Sequence, residues 1–388
     1  MSREFDVVVY GATGFTGRLV AEYLQNQYGD GLSWAMAGRS KEKLASVRAQ
    51  MSISENVPLI TADSSDAASL KAMAARTKSI CTTVGPYQLY GESLLAACAW
   101  EGTDYVDLSG EPAWMHDTIK KYTAAAEQSG ARIVHSCGFD SIPFDLGVYF
   151  LQQEAINNHG GVCKNVRGRV RKMQGKFSGG TAASFAETMK RVGKEPEVLD
   201  WLKDPFSLVP GFDGPAQPSG HAPIYEQDLG SWSAPFIMAS INTKNVHRSN
   251  ALLGHLYGHD FTYDEMVFTG PGEQGEAAAK HVASSDTFGK NPPKPGEGPS
   301  LEERETGFYD VAFFGTAADG TNLIASVSGD KDPGYGSTSK MIAEAALCLA
   351  QDIDRAKVGG GIYTCAPAMG EALIKRLGEK AGLTFKME

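Results

Sequence analysis

The sequence lacks the features of several common protein classes. Its longest apolar runs, such as SLLAACAW, are far shorter than the roughly 20 residues that a membrane-spanning helix needs. It has no basic excess, because 36 Lys and Arg stand against 46 Asp and Glu, which gives a net charge of −10. Nucleic acids and anionic membranes both select basic surfaces, so we expect neither as a partner.

Cysteine is scarce, and its spacing excludes two further kinds of site. The six cysteines form no C-x-x-C pair and no zinc-like pattern, so we expect free thiols and no metal. The chain opens with MSREFD directly before a strand-like run, so we expect no secretory signal. The sequence therefore predicts a reduced, cytoplasmic globular protein, and its 388 residues favour two domains.

Strand-like and helix-like segments alternate through the first part of the chain. Apolar runs predict strands at 5–10, 32–38, 57–63, 79–85, 104–108 and 131–137. Alternation of this kind is typical of a doubly wound parallel sheet with helices on both faces. We therefore predict an α/β fold in which residues 1–145 form a Rossmann domain.

The pattern changes after Gly147, where the alternation ends. Residues 146–334 combine strand-like runs, helices and Pro- and Gly-rich stretches, which predicts a second, α+β domain. Asp319-Gly320 separates two alternating segments and predicts a hairpin turn. Residues 289–305 are rich in proline, glycine and charge, so we expect a mobile surface loop there.

A glycine-rich turn, GATGFTG, follows the first predicted strand and opens the first predicted helix. In dinucleotide-binding turns the first glycine permits the tight turn and the second lets the backbone approach the pyrophosphate. The third lets the helix pack on the strand. Its position between strand and helix is the context that this fingerprint requires. We predict that the coenzyme contacts Gly11, Ala12, Thr13, Gly14, Phe15, Thr16 and Gly17.

The end of the second predicted strand indicates which coenzyme binds. NAD sites place Asp or Glu there against the ribose 2′-hydroxyl, whereas an Arg accommodates a 2′-phosphate. This chain has Arg39, Ser40 and Lys43 in AGRSKEKL, which predicts NADP(H). The alternative is that Arg39 and Lys43 are only a solvated helix start. Asp63 ends the third predicted strand, where it can reach the adenine.

Residues after the fourth strand lie at the edge where strand order reverses in such sheets, which is the usual ligand crevice. We expect coenzyme contacts from Val84, Gly85, Pro86 and Tyr87. The Tyr87 hydroxyl can lie near the nicotinamide. Packing of its ring on the turn is an equal alternative.

Candidate proton donors follow the fifth and sixth strands. Asp140 and Ser141 can donate to a substrate carbonyl, or they cap the next helix, since Asp and Ser are favoured N-caps. Asp107 and Glu111 can instead bind backbone amides of their turn. The predicted catalytic residues are Tyr87, Asp140 and Ser141.

Two histidines have a spacing that suits a metal on a helix, but their context does not. His255 and His259 are four residues apart, yet a glycine precedes each of them and a third ligand is missing. We therefore predict structural or surface histidines.

Several longer motifs carry a family resemblance. GATGFTG, AGRSKEKL, TTVGPYQLYGESLLAACAWEGTDYVDLSGE and GFDSIPFDLG together resemble saccharopine dehydrogenase-like oxidoreductases, including the bacterial trans-acting enoyl reductases. The likeness continues through GDKDPGYGSTSKMIAEAALCLA, so it covers nearly the whole chain. It implies that residues 146–334 form a substrate and dimerisation domain and that residues 335–388 return to the Rossmann domain. It also implies that Arg248 and Tyr335 line the substrate cleft.

The expected function is that of an NADPH-dependent oxidoreductase that reduces an enoyl or carbonyl group of a thioester-linked or lipid-like substrate. One alternative is a C–N bond dehydrogenase or reductase acting on an amino-acid derivative. Clustered Arg and Lys at the crevice would favour this alternative. Another is a non-catalytic NADP(H)-binding sensor or assembly protein. The expected partners are a small-molecule or lipid-like substrate and, as the resemblance allows, a second copy of the chain.

Overall fold

The chain folds around two seven-stranded sheets. This computed structural model describes residues 3–176, 178–285, 293–294 and 296–388. The first sheet contains β1 (Phe5–Tyr10), β2 (Trp34–Gly38), β3 (Leu59–Thr61), β4 (Thr77–Thr82), β5 (Asp104–Val106), β6 (Arg132–Val134) and β13 (Gly361–Tyr363). The second contains β7 (Asn165–Gln174), β8 (Ile224–Glu226), β9 (Ser231–Pro235), β10 (Thr262–Gly270), β11 (Phe308–Thr316), β12 (Asn322–Gly329) and β14 (Leu383–Met387).

Helices connect and cover both sheets. Those of the first part are α1 (Phe15–Tyr28), α2 (Lys41–Gln50), α3 (Ala67–Ala75), α4 (Tyr87–Tyr90), α5 (Glu92–Glu101), α6 (Pro112–Ser129) and α7 (Ile142–Asn158). The later ones are α8 (Gly179–Val192), α9 (Glu197–Lys203), α10 (Ala239–Leu252), α11 (Gly272–Ser284), α12 (Leu301–Thr306), α13 (Thr338–Leu347) and α14 (Cys365–Arg376). Within the described ranges, no helix is long and apolar enough to cross a membrane.

The first sheet is parallel, with strand order β3-β2-β1-β4-β5-β6-β13. Val7, Val8 and Val9 of its central strand are fully buried, which explains their continuous apolar run. The order reverses between β1 and β4, so the crevice of a Rossmann fold lies at the carboxyl ends of these two strands. The predicted doubly wound sheet is confirmed.

The second sheet is mixed, with order β14-β12-β11-β7-β10-β9-β8. β7 and β10 are parallel, whereas β11 and β12 form the antiparallel hairpin predicted around Asp319-Gly320. α7 leaves the first sheet and packs on the second, since a Cβ on Gly147 would lie 2.2 Å from a ring carbon of Phe313. One hydrophobic core runs through both sheets, because Val9 and Phe313 belong to the same buried cluster.

The C-terminal residues contribute to both sheets. β13 pairs with β6, and β14 pairs with β12. α13 lies against α1, where the Tyr23 and Tyr28 hydroxyls donate to the buried Glu344 carboxylate over 2.6 and 2.8 Å. The boundaries expected at residues 145 and 334 remain predictions.

Several local predictions were partly wrong, and five of the six predicted strands extend past the observed bounds. The fourth strand was expected to reach residue 85 but ends at Thr82, because Gly85 and Pro86 are poor strand residues. The loop expected at 289–305 includes residues 289–292 and 295, which lie outside the described residues. Its last residues form α12 instead, where Ser300 and Glu303 make a reciprocal capping box.

Candidate active site

The glycine-rich turn between β1 and α1 leaves no room for side chains at two of its glycines. Gly11 has a φ of +88°, and a Cβ there would lie 2.6 Å from Val84 Cγ2. A Cβ on Gly17 would lie 2.2 Å from the Gly11 carbonyl oxygen. The bare backbone of α1 therefore packs directly against the turn, as in dinucleotide-binding folds.

The first turn of α1 is open to a negatively charged ligand. The helix begins at Phe15 with Gly14 as its N-cap, and among the described side chains none caps it and no acid lies in its first turn. Uncapped N–H groups at the positive end of a helix attract anions. This cradle fits a coenzyme pyrophosphate, the group predicted for it.

The residues after β2 present positive charge beside the crevice. Arg39 and Lys43 are exposed, and neither forms an ion pair within the described part of the chain. Ser40 is the N-cap of α2: its hydroxyl accepts from Lys43 N over 3.2 Å and donates to Glu42 over 2.9 Å. Asp63 lies close enough to Arg39 to interact electrostatically, and hydrogen bonds from Ser65 lower the pKa of its carboxyl. Two free cations thus remain for a 2′-phosphate.

Tyr87 has structural contacts that explain its position. Its hydroxyl donates to Thr82 O over 3.2 Å and accepts from Leu108 N over 3.0 Å. Its ring packs on Trp114 with centroids 5.4 Å apart, and burial raises the pKa of its hydroxyl well above the ordinary value. The hydroxyl joins the loops after β4 and β5, which favours the packing alternative over the predicted catalytic role.

The carboxylates after β5 hold backbone amides. Asp107 Oδ1 accepts from the N–H groups of Ser109 and Ser136. Glu111 accepts from Tyr87 N over 2.8 Å and from Ser184 Oγ of α8 over 2.8 Å. Both side chains therefore position loops around the crevice, and the Glu111 contact reaches the second half of the chain.

Asp140 differs from these carboxylates because its own carboxyl group is not engaged. It follows β6 and is half-buried, and a Cβ on Gly110 would lie 3.3 Å from its Oδ2. Within the described residues this carboxyl makes no hydrogen bond or ion pair. Burial raises its pKa to about 7. A substantial fraction of the Asp140 carboxyl is therefore protonated near neutral pH, as a general acid requires.

The capping alternative for Asp140 and Ser141 was wrong. Ser141 occupies the N-cap position of α7, yet its side chain makes no capping hydrogen bond. Its hydroxyl accepts from Asn245 Nδ2 of α10 over 2.7 Å instead. Ser141 is only 2% exposed, so it fixes the loop that carries Asp140.

Three residues of the second half of the chain complete this region, and sequence reasoning missed them. Asn245 holds Ser141, and Asn242 Nδ2 donates to Glu265 over 2.9 Å. Burial, with a smaller contribution from Asp140, raises the pKa of Glu265 to about 8. The Oδ1 atoms of both asparagines are buried without a protein partner among the described residues. The run of polar residues in α10 was a weak signal, because it is equally typical of a surface helix.

Tyr335 and Arg248, both assigned to the cleft by resemblance, lie in different places. The Tyr335 ring meets Phe15 of the glycine turn edge-on at 5.2 Å, and its hydroxyl accepts from Ser178 N. Arg248 is 5% exposed and donates to the carbonyls of Leu208 and Ile362, each over 2.6 Å. Tyr335 thus contacts the glycine-rich turn between β1 and α1, whereas Arg248 joins α10 to β13.

The two histidines considered for a metal are stacked on one another. The rings of His255 and His259 have centroids 4.0 Å apart. No cluster of three potential metal ligands occurs in the part of the chain that the structure describes. Their assignment as structural or surface histidines stays a prediction.

Comparisons with known proteins agree with this geometry. Residues 7–134 match the family model for the saccharopine dehydrogenase NADP-binding domain. A protein of Mycobacterium tuberculosis is 41% identical, over 97% of this chain and 96% of its own. The trans-acting enoyl reductases of Mycobacterium bovis and Mycobacterium leprae are each 38% identical over the same shares. Yeast saccharopine dehydrogenase shares the fold, with a TM-score of 0.55 at 12% identity over 98% of this chain and 99% of its own.

Proposed function

The chain is an NADP-dependent oxidoreductase of the saccharopine dehydrogenase-like family, and we propose that it reduces the C=C bond of an enoyl thioester, with Asp140 as proton donor. The relatives' name, trans-acting enoyl reductase, supports the choice of bond. The free, half-buried carboxyl of Asp140 is the observation that carries the choice of acid.

The residues of the first sheet would hold the coenzyme. Gly11, Gly14 and Gly17 leave the backbone of the turn and the start of α1 open to the pyrophosphate. Arg39 and Lys43 would bind the 2′-phosphate, since charge-assisted hydrogen bonds to phosphate are strong. NADPH, when bound, supplies the hydride, and the protein supplies orientation and the proton.

Reduction of an enoyl thioester adds a hydride at one carbon and a proton at its neighbour. A carboxyl whose pKa is about 7 is substantially protonated at neutral pH and can deliver that proton. The hydrogen bond from Asn245 to Ser141 holds the loop that bears this carboxyl. A carbonyl substrate would use the same acid on oxygen and is the nearest alternative.

Two basic residues of α10 are not available to bind an amino-acid carboxylate. An amino-acid carboxylate requires a free cation, yet Lys244 and Arg248 are 3% and 5% exposed. Lys244 donates to Asp204 O and Arg248 to two carbonyls, so neither is available. A C–N reaction would therefore have to use other cations for the substrate carboxylate.

A substrate panel tests this proposal. NADPH oxidation would be followed with a 2-enoyl thioester, a ketone and an imine formed from an amine. We expect turnover of the thioester only, lowered about 10²–10⁴-fold in Asp140→Asn, as is typical for loss of a general acid. Asp140→Glu, which keeps the acid, serves as the matched control and should retain more activity.

Two results would contradict the proposal. Preference for the imine would favour the C–N reaction. Tight NADPH binding without turnover of any substrate would favour a sensor or assembly protein.

A further inference from the structure

Arg18 and Arg304, from distant parts of the chain, both lie against the aromatic ring of Phe15 in the glycine-rich turn. The Cζ atoms of Arg18 and Arg304 are 5.0 and 5.7 Å from the ring centre of Phe15. Phe15 is the first residue of α1, where the helix is open to an anion. Arg18 lies one turn later, and helical side chains point back toward the N-terminus, which brings its guanidinium to this first turn.

No carboxylate of the described residues forms an ion pair with either arginine. Among the described residues Arg18 makes no hydrogen bond or ion pair, and Arg304 donates only to Pro299 O, over 2.8 Å. Asp332 lies near enough to Arg304 for an electrostatic interaction. Its carboxylate, however, already accepts from the N–H groups of Tyr335 and Gly336. Among the described residues, two arginines outside ion pairs therefore lie against the same ring.

The position of Arg304 is fixed by packing on the same turn. A Cβ on Gly298 would lie 2.5 Å from the Phe15 ring, so the segment before α12 lies directly on that ring. α12 is capped by Ser300 and fastened through an ion pair between Lys176 and Glu303. The guanidinium of Arg304, in the second half of the chain, is thereby held beside the glycine-rich turn between β1 and α1.

We propose that Arg18 and Arg304 bind the coenzyme pyrophosphate together, so that the second half of the chain closes the coenzyme site. Guanidinium groups bind phosphate oxygens in a bidentate manner, and the pyrophosphate of a Rossmann fold lies at this helix N-terminus. The proposal concerns the coenzyme alone and is independent of which substrate is reduced.

Coenzyme affinity tests this role separately from activity. Fluorescence titrations with NADPH and NADH, and displacement of NADPH by adenosine 2′-monophosphate, would be compared for wild type, Arg18→Gln and Arg304→Gln. We expect each variant to lose about tenfold in affinity for both dinucleotides, as for one charged hydrogen-bonding group. Affinity for adenosine 2′-monophosphate, which lacks the pyrophosphate, should not change. Arg39→Ala, which acts on the 2′-phosphate, should weaken NADPH and adenosine 2′-monophosphate and leave NADH nearly unchanged.

Controls separate binding from a loss of structure. Lys280→Gln removes an exposed cation of α11 that pairs with Glu276, away from α12, and should bind all three ligands as wild type does. Arg304→Lys keeps the charge and should recover part of the affinity, and the Tm without coenzyme should be alike in all variants. Unchanged dinucleotide affinity in Arg304→Gln, or an equal loss for adenosine 2′-monophosphate, would overturn the proposal. Either result would leave the enoyl reductase proposal standing, whereas failure of the substrate panel would not alter the affinities.

Discussion

Asp140, the proposed proton donor, also affects the stability of the fold through its proton. Its pKa rises from an ordinary 3.8 to about 7 in the folded protein, so the folded state binds the proton more tightly than the unfolded chain. The stability that this proton contributes is complete below the unfolded pKa and is lost as pH rises through about 7.

We therefore expect Asp140→Asn to remove this pH dependence. Relative to the variant, wild type should lose about 1–2 kcal/mol of unfolding free energy from acidic to mildly alkaline pH, a figure reduced for partial exposure. Urea denaturation of both proteins across this range measures the difference. Parallel stability curves would show that the carboxyl titrates normally.

Arg39 tests the choice of coenzyme at the level of one side chain. It is exposed and unpaired at the end of β2, so its removal should cost the 2′-phosphate contact and little else. We expect Arg39→Ala to weaken NADPH about 10–100-fold and NADH hardly at all. Calorimetric titration with both nucleotides decides this, and equal losses would exclude a 2′-phosphate contact.

Tyr87 tests a structural assignment. Its hydroxyl is buried between Thr82 O and Leu108 N, so Tyr87→Phe leaves both backbone groups without their partner. We expect a loss of about 1–2 kcal/mol in stability with turnover retained. A folded variant whose turnover falls more than about 10²-fold would identify Tyr87 as catalytic after all.

At the scale of elements, the turn and α1 act as one unit. A methyl group on Gly17 would lie 2.2 Å from Gly11 O, so Gly17→Ala must push the helix off the turn. We expect loss of NADPH binding and about 1–3 kcal/mol of stability, as for other overpacked sites. Gly31→Ala, just after the same helix, meets no atom within 4 Å and is the matched control. Normal coenzyme affinity in Gly17→Ala would contradict this assignment of the turn.

At the scale of elements, the sequence could predict the features that depend on local residues only. Buried parallel strands and the glycine spacing are local requirements of the backbone, so β1 was predicted at its observed bounds and the turn at its place. The contact of Ser141 with Asn245 and the electrostatic interaction of Asp140 with Glu265 were not predicted, because they arise only through the packing of α10 and β10. Local polarity does not tell a buried asparagine from a solvated one. The capping-box pattern of Ser300 and Glu303 in α12 is visible in the sequence, but the surrounding proline and glycine residues favoured a loop.

At the scale of the whole molecule, Glu344 joins the C-terminal segment to α1. It is fully buried and accepts from two tyrosine hydroxyls and, over 2.6 Å, from Arg376 Nε. Glu344→Ala leaves these groups without their shared partner, and we expect a loss of about 3–5 kcal/mol. A loss below about 1 kcal/mol, as for a surface pair, would contradict this role.

The reaction itself is tested most directly by isotope incorporation. The enzyme would be incubated with a 2-enoyl thioester and NADPH in deuterium oxide, and the product examined by mass spectrometry and NMR. Asp140 exchanges its proton with solvent, so we predict a saturated thioester with one deuterium beside the carbonyl and an unlabelled hydrogen from NADPH at the next carbon. Recovery of unreduced thioester, or of an alcohol in its place, would contradict reduction of the C=C bond.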